Sequence, residues 1–102
     1  MKTVEEKYLE TLKKNKIHKK VRDVFESIDK RLFFDENYKD SVYSEAHITI
    51  GYQQLSDDPV SLSQMISYLG LKEDWRVLEI GTGSGYSTAL LASVVDEVTS
   101  IE

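Results

Sequence analysis

Three glycines at alternate positions, Gly81, Gly83 and Gly85, have the type and spacing of a ligand-binding loop. They directly follow residues 76–80, which we predict to form a buried strand, and lead into residues 84–94, which we predict to be helical. A loop that runs from a buried strand into the first turn of a helix presents unpaired backbone N–H groups, which favour carboxylate or phosphate ligands. Since glycine has no Cβ, the backbone can take positive φ values and a ligand can approach the main chain closely.

The spacing of the glycines distinguishes between two kinds of ligand. The dinucleotide-binding pattern is Gly-x-Gly-x-x-Gly, and the position of its third glycine is held here by Tyr86. The spacing therefore disfavours a dinucleotide oxidoreductase. Tight binding of NAD would be evidence for this alternative. The chain contains instead an acidic residue, Glu79, followed by glycines at alternate positions.

A second carboxylate follows the next predicted strand. This strand covers residues 98–101, and Glu102 comes directly after it, 23 positions after Glu79. A carboxylate at this place can accept hydrogen bonds from both hydroxyls of a ribose, and a spacing of roughly 20 residues is usual across a β-α-β unit. We therefore predict that Glu102 lies at the same site as the glycine loop.

The elements that must position this loop are a strand at residues 76–80, a helix at 84–94 and a strand at 98–101. This order is a β-α-β unit. Before it, Asp57-Asp58-Pro59 predicts the start of a helix that runs to about Leu69, because an Asp cap before proline is a strong helix start. Alternating polar and apolar residues at 46–50 predict a short strand that ends at Gly51.

The first part of the chain has helical periodicity, which predicts one long or two consecutive amphipathic helices. Residues 29–43 lose this periodicity and carry aromatic side chains that would serve as core packing or as pocket walls, namely Phe33, Phe34, Tyr38 and Tyr43. We therefore divide the chain into an N-terminal helical arm, residues 1–30, and an α/β part, residues 31–102.

Composition and charge narrow the function classes. The chain has no cysteine and two histidines, which excludes disulfides and thiolate chemistry and makes a metal cluster a poor interpretation. Residues 1–39 carry a net charge of +3 and residues 40–102 one of −8. The lysines of the arm lack the aromatic interleaving of nucleic-acid binders and are interpreted as a solvated face. Without an apolar span or signal peptide, we expect a cytoplasmic protein with neither nucleic-acid nor membrane partners.

The loop resembles the first motif of class I S-adenosylmethionine-dependent methyltransferases. In that family the acidic residue and the glycine turn hold the methionine part and the ribose of the cofactor. The resemblance implies S-adenosyl-L-methionine as cofactor and a set of contacts that share this loop and the two strand ends: Glu79, Ile80, Gly81, Thr82, Gly83, Ser84, Gly85, Tyr86 and Glu102.

A longer segment, from about Val21 to Glu102, resembles the protein-L-isoaspartate O-methyltransferase family. The resemblance is carried by residues 77–86, residues 88–92, Arg31-Leu32-Phe33 and Glu36-Asn37-Tyr38, and it continues through Tyr43, Glu45, Ile50 and Gly51. It implies methylation of the carboxylate of L-isoaspartyl residues in damaged proteins, which is a repair reaction, with a protein or peptide as substrate.

The chain departs from that family at the acceptor site and in extent. Asp57 stands at the position of the family's active-site serine, and Ser56 lies one position before it. A carboxylate there would repel an acceptor carboxylate, so either the substrate differs or Ser56 takes over while Asp57 caps the helix. These two residues are the catalytic candidates.

The resemblance also implies a larger sheet, so we expect the start of a Rossmann-like methyltransferase sheet that is incomplete. Its exposed edge would favour self-association. The alternative is that the chain is a non-catalytic fragment that binds a cofactor or a partner and derives from a methyltransferase with a different substrate.

Overall fold

The N-terminal region forms two helices. The computed structural model describes residues 3–37, 42–43, 49–51, 54–55 and 59–102. Helix α1 covers Val4–Lys14 and helix α2 covers Lys19–Ser27, and a 3-10 helix follows at Lys30–Phe33. The two helices are separate because Lys16, between them, has a left-handed backbone with φ of 61°. Among the described residues no helix is both long and apolar enough to cross a membrane.

Polar side chains cap both helices. The Thr3 hydroxyl accepts a hydrogen bond from the Glu6 amide at 3.1 Å, which satisfies one of the free N–H groups at the start of α1. His18 does the same for α2, because its Nδ1 accepts from the Lys20 amide at 3.1 Å. A lone histidine in a lysine-rich segment is more often structural than catalytic, and helix capping is a structural role.

The middle of the chain adds a short hairpin and a third helix. Strand β1 at Thr49–Gly51 pairs antiparallel with β2 at Gln54–Leu55, and helix α3 covers Pro59–Leu69. The predicted end of the strand at Gly51 and the predicted span of α3 are confirmed. Gly70 follows α3 with φ of +58°, the left-handed conformation that commonly ends a helix.

The C-terminal third is the predicted β-α-β unit. Strand β3 at Arg76–Ile80 and strand β4 at Glu97–Ile101 are parallel and in register without a bulge, and helix α4 at Tyr86–Ala92 connects them. Helix α4 is shorter than the predicted span of residues 84–94. It begins at Tyr86 because Gly85, with φ of 90°, has a left-handed backbone that a helix interior does not accept. The residues that follow Ala92 form tighter turns that lead into β4.

One core joins the helices to the sheet. Its buried side chains come from the N-terminal region and from both later helices: Tyr8, Leu12, Ile17, Phe25, Leu62, Ile66, Tyr86, Leu90 and Leu91. Val77 and Val98 pack against it from one face of the sheet. The predicted arm and the α/β part therefore share their packing. The opposite face of the sheet carries exposed Leu78, Ile80 and Ile101, so the prediction of a buried strand at residues 76–80 holds for one face only. Self-association through the exposed edge of the sheet stays a prediction.

Candidate cofactor site

The glycine loop between β3 and α4 has a backbone that only glycine adopts easily. The φ angles of Gly81, Gly83 and Gly85 are 89°, 60° and 90°. For an L-residue this region brings Cβ too close to the backbone and costs about 1–2 kcal/mol. A Cβ built on Gly81 would meet nothing within 4 Å, whereas one on Gly85 would lie 3.7 Å from Cδ1 of Phe33. The loop is therefore open beside Gly81 and packed against the protein beside Gly85.

Hydrogen bonds fix the loop to the end of β4. The Gly81 amide donates to the carbonyl of Ile101 at 2.7 Å, which extends the parallel ladder by one step. The Gly83 amide donates to Oε2 of Glu102 at 2.8 Å. The hydroxyls of Thr82 and Ser100 lie 2.6 Å apart, which adds a side-chain link. The structure thus brings Glu102 to the loop, as the spacing of the sequence predicted.

Glu79 joins the three elements of the β-α-β unit below the loop. Its carboxylate accepts hydrogen bonds from the hydroxyls of Ser87 at 2.6 Å and of Thr88, both on α4. It also accepts one from Ser100 on β4 at 2.8 Å. These partners show that the carboxylate holds α4 and β4 to β3. A direct contact between Glu79 and a cofactor remains a prediction.

Tyr86, directly after the last glycine, points into the core. Its hydroxyl lies 3.1 Å from the hydroxyl of Tyr8, and its ring contacts Phe25 edge-on with centroids 6.1 Å apart. Lys30 lies beside the two tyrosines, with Nζ 5.3 Å from the centroid of each ring. Burial raises the pKa of the Tyr8 and Tyr86 hydroxyls above the ordinary tyrosine value, so both stay protonated at neutral pH.

Sequence reasoning did not identify Tyr8 and Lys30 as part of this region. Tyr8 lies in the part of the chain that has helical periodicity, and Lys30 carries one of the many charges of the arm. Periodicity gave a correct signal that Tyr8 is buried, but its partner is 78 residues away and no local pattern indicates it. Lys30 is 3% exposed, which is rare for a lysine and is not expected from the sequence.

Of the remaining predicted site residues, the structure describes Ile80 and Ser84 but not Ser56 and Asp57. Ile80 is exposed on the open face of the sheet, and Ser84 is half-buried in the loop. Ser56 and Asp57, the catalytic candidates, lie outside the described residues, as does Tyr38. The other three aromatic residues of the irregular segment, Phe33, Phe34 and Tyr43, pack against the core. In the described part of the chain no three histidine or acidic side chains are grouped to hold a metal ion.

This arrangement suits a ligand with hydroxyl groups that lies along the main chain. The open side of Gly81 leaves room for close approach, and the Glu102 carboxylate beside Gly83 is an acceptor for hydroxyls. The loop is held from below by Glu79 and from the side by β4, so it is positioned before any ligand arrives. Preorganisation of this kind lowers the cost of binding.

Comparison with known proteins gives one consistent family. The family model described as protein-L-isoaspartate(D-aspartate) O-methyltransferase matches residues 2–102. Protein-L-isoaspartate O-methyltransferase of Dictyoglomus turgidum is 42% identical over 83 residues, which cover 81% of this chain and 38% of that protein. The enzyme of the same name from Syntrophus aciditrophicus is 40% identical over 86 residues, or 84% of this chain and 39% of that protein. The chain thus spans about two fifths of the length of these curated relatives.

Solved structures show the same fold. A protein-L-isoaspartate O-methyltransferase matches 96% of this chain and 33% of its own with a TM-score of 0.77 and 28% identity. A structure described as such an enzyme from Plasmodium falciparum, in complex with S-adenosyl-L-homocysteine, matches 90% of this chain and 42% of its own with a TM-score of 0.76 and 23% identity. The predicted combination of N-terminal helices and a partial methyltransferase sheet is confirmed.

Proposed function

Because this chain belongs to the protein-L-isoaspartate O-methyltransferase family, we propose that it carries the S-adenosyl-L-methionine site of an enzyme that methylates the carboxylate of L-isoaspartyl residues in damaged proteins. The observation that carries the proposal is the glycine loop. Its three left-handed glycines leave the side of Gly81 open, and Glu102 adjoins it with a carboxylate oxygen 2.8 Å from the Gly83 amide. A protein or peptide with isoaspartyl residues is the proposed substrate.

The residues of the loop fit this cofactor. The main chain at Gly81 and Gly83 is accessible because both glycines are exposed, and the Glu102 carboxylate suits the two hydroxyls of a ribose. Contacts from the other predicted residues belong to the same proposal: Glu79, Ile80, Thr82, Ser84, Gly85 and Tyr86. S-adenosyl-L-methionine supplies an already activated methyl group, so the protein has to orient the acceptor oxygen and exclude water.

Calorimetric titration of this chain with S-adenosylhomocysteine tests the cofactor proposal, with NAD as the comparison ligand. We expect saturable binding of S-adenosylhomocysteine and none of NAD. Glu102→Gln should weaken binding by about tenfold, because the amide replaces a charged acceptor of the ribose hydroxyls. The matched control is Glu97→Gln, an exposed acidic residue at the other end of β4, which should bind like the unaltered chain. A folded chain that binds NAD but not S-adenosylhomocysteine would refute the proposal.

For the acceptor site we propose that Ser56 contacts the isoaspartyl carboxylate and that Asp57 serves mainly as a helix cap. A charged Asp57 in contact with the acceptor would repel it, increasingly so as water is excluded. In a methyl-transfer assay with an isoaspartyl peptide we expect Ser56→Ala to lower the rate several-fold. Asp57→Asn, which removes the charge and keeps the shape, should leave the rate equal or higher. A loss in Asp57→Asn alone would instead assign the acceptor contact to Asp57 and indicate a different substrate.

A cytoplasmic location belongs to the same proposal. An enzyme in the cytoplasm would have access to damaged intracellular proteins as substrates. Fractionation of the source cells, with an antibody to detect this chain, tests the location. Recovery of the protein in a membrane or extracellular fraction would contradict it.

A further inference from the structure

The N-terminal helices contact the glycine loop through one buried aromatic cluster. Tyr8 on α1 and Tyr86 at the start of α4 are each 4% exposed, and their hydroxyls are 3.1 Å apart. A hydrogen bond between two buried hydroxyls has no water to replace either partner, so loss of one leaves the other unsatisfied. The bond joins residues that are 78 positions apart in the chain.

Lys30 reinforces this contact from the 3-10 helix. Its Nζ lies 5.3 Å from the ring centroids of both tyrosines and 5.7 Å from that of Phe34. A cation within about 6 Å of an aromatic face is attracted to it, more strongly when water is excluded. Lys30 is 3% exposed, so the attraction acts in a dry environment and holds both tyrosine rings in place.

The cluster ends directly at the loop. Tyr86 follows Gly85, the last glycine, and Phe33 contacts both Tyr86, with ring centroids 5.8 Å apart, and the Cβ side of Gly85. The other end of the loop is held by β4, through the bond from the Gly81 amide to Ile101. The loop is therefore fixed at two ends by different parts of the chain, and the second anchor comes entirely from residues in the first third of the sequence.

We propose that Tyr8 and Lys30 are positioning residues of the cofactor site, which set the backbone of the glycine loop through Tyr86. This makes α1 and the 3-10 helix part of the site and not a separate arm. The inference rests on the cofactor role proposed for the loop, although the coupling between Tyr8 and the loop is a property of the protein without ligand.

The first test is amide hydrogen exchange of the unliganded chain. In Tyr8→Phe we expect the Gly85 amide, which donates to the Thr82 carbonyl at 3.1 Å, to exchange about 3- to 10-fold faster than in the unaltered chain. The matched control is Ile17→Val, a buried core substitution near the end of α1 that also lowers stability modestly. It should leave the Gly85 rate unchanged once both rates are corrected for global unfolding. Equal acceleration in the two variants would overturn the proposal.

The second test is calorimetric titration with S-adenosylhomocysteine. Tyr8→Phe should weaken binding by about 3- to 10-fold, and Ile17→Val should not change it. The double variant Tyr8→Phe, Tyr86→Phe removes both hydroxyls, so it should bind no worse than the weaker single variant. Additive losses would show that the hydroxyls act independently and would contradict the proposal. If the unaltered chain binds no S-adenosylhomocysteine, the cofactor proposal fails, while the exchange experiment still decides the coupling.

Discussion

Gly81→Ala is expected to weaken binding of S-adenosylhomocysteine by at least about 100-fold. The φ angle of 89° at this position is strained for alanine, so the loop would shift to relieve it. The added Cβ would also project into the open space beside the loop, where the cofactor is proposed to lie. Both effects act on the same backbone, and calorimetric titration measures their sum.

Gly70 offers a matched control for this substitution. It too has a positive φ, +58°, with nothing within 4 Å of a built Cβ, and it lies at the end of α3, outside the loop. Gly70→Ala therefore introduces a comparable backbone strain of about 1–2 kcal/mol without touching the site. We expect it to lower stability and to leave binding unchanged. If the two alanine variants lost the same affinity, the effect would be one of general stability, and the loop would not be the site.

Glu79→Ala is expected to lower the free energy of unfolding by about 3 kcal/mol, because three hydroxyl donors lose a charged acceptor. The three donors come from α4 and β4, so the substitution removes the side-chain hydrogen bonds that link both elements to β3. Denaturant unfolding monitored by circular dichroism measures the change. S-adenosylhomocysteine affinity should fall as well, since the loop rests on these elements.

Two further substitutions isolate the role of the Glu79 carboxylate. Glu79→Gln keeps one acceptor oxygen and the length of the side chain, so about 1 kcal/mol should be lost. Glu73→Ala removes an exposed carboxylate in the turn before β3 and should change stability by less than about 0.5 kcal/mol. Equal stability of Glu79→Ala and Glu73→Ala would mean that the hydrogen bonds to Glu79 contribute nothing net.

The β-α-β unit was predictable because its signals are local. The strand pattern at residues 76–80, the alternating glycines and the pattern of the second strand each lie within a few residues of the element they specify. The register of β3 and β4 then brings Glu102 to the loop. Helix α3 was predictable for the same reason, from the sequence Asp57-Asp58-Pro59 at its start. The prediction of the ends of α4 was less accurate, because the left-handed backbone of Gly85 places the start of the helix at Tyr86.

The hydrogen-bond partners of Glu79 and the buried aromatic cluster around Lys30 could not be predicted from local sequence signals. The motif marks Glu79 as a residue of the site, but its hydroxyl partners depend on how α4 lies across the sheet. Lys30 is charged, and a charge in a helical arm is ordinarily solvated. Its burial results from three aromatic rings that only the tertiary fold brings together. Contacts of this kind are set by packing, which periodicity does not encode.

The uniform register of β3 and β4 restricts where the length of this chain can change during evolution. All five residue pairs, from Arg76 with Glu97 to Ile80 with Ile101, follow one another without a bulge. Insertion or deletion of one residue inside either strand would reverse its faces, so that Glu79 or Ser100 would turn away from α4 and an exposed leucine or isoleucine would turn inward. Length variation is therefore compatible with this site only in the connections outside the strands, where the turn at residues 71–75 can absorb it at the surface.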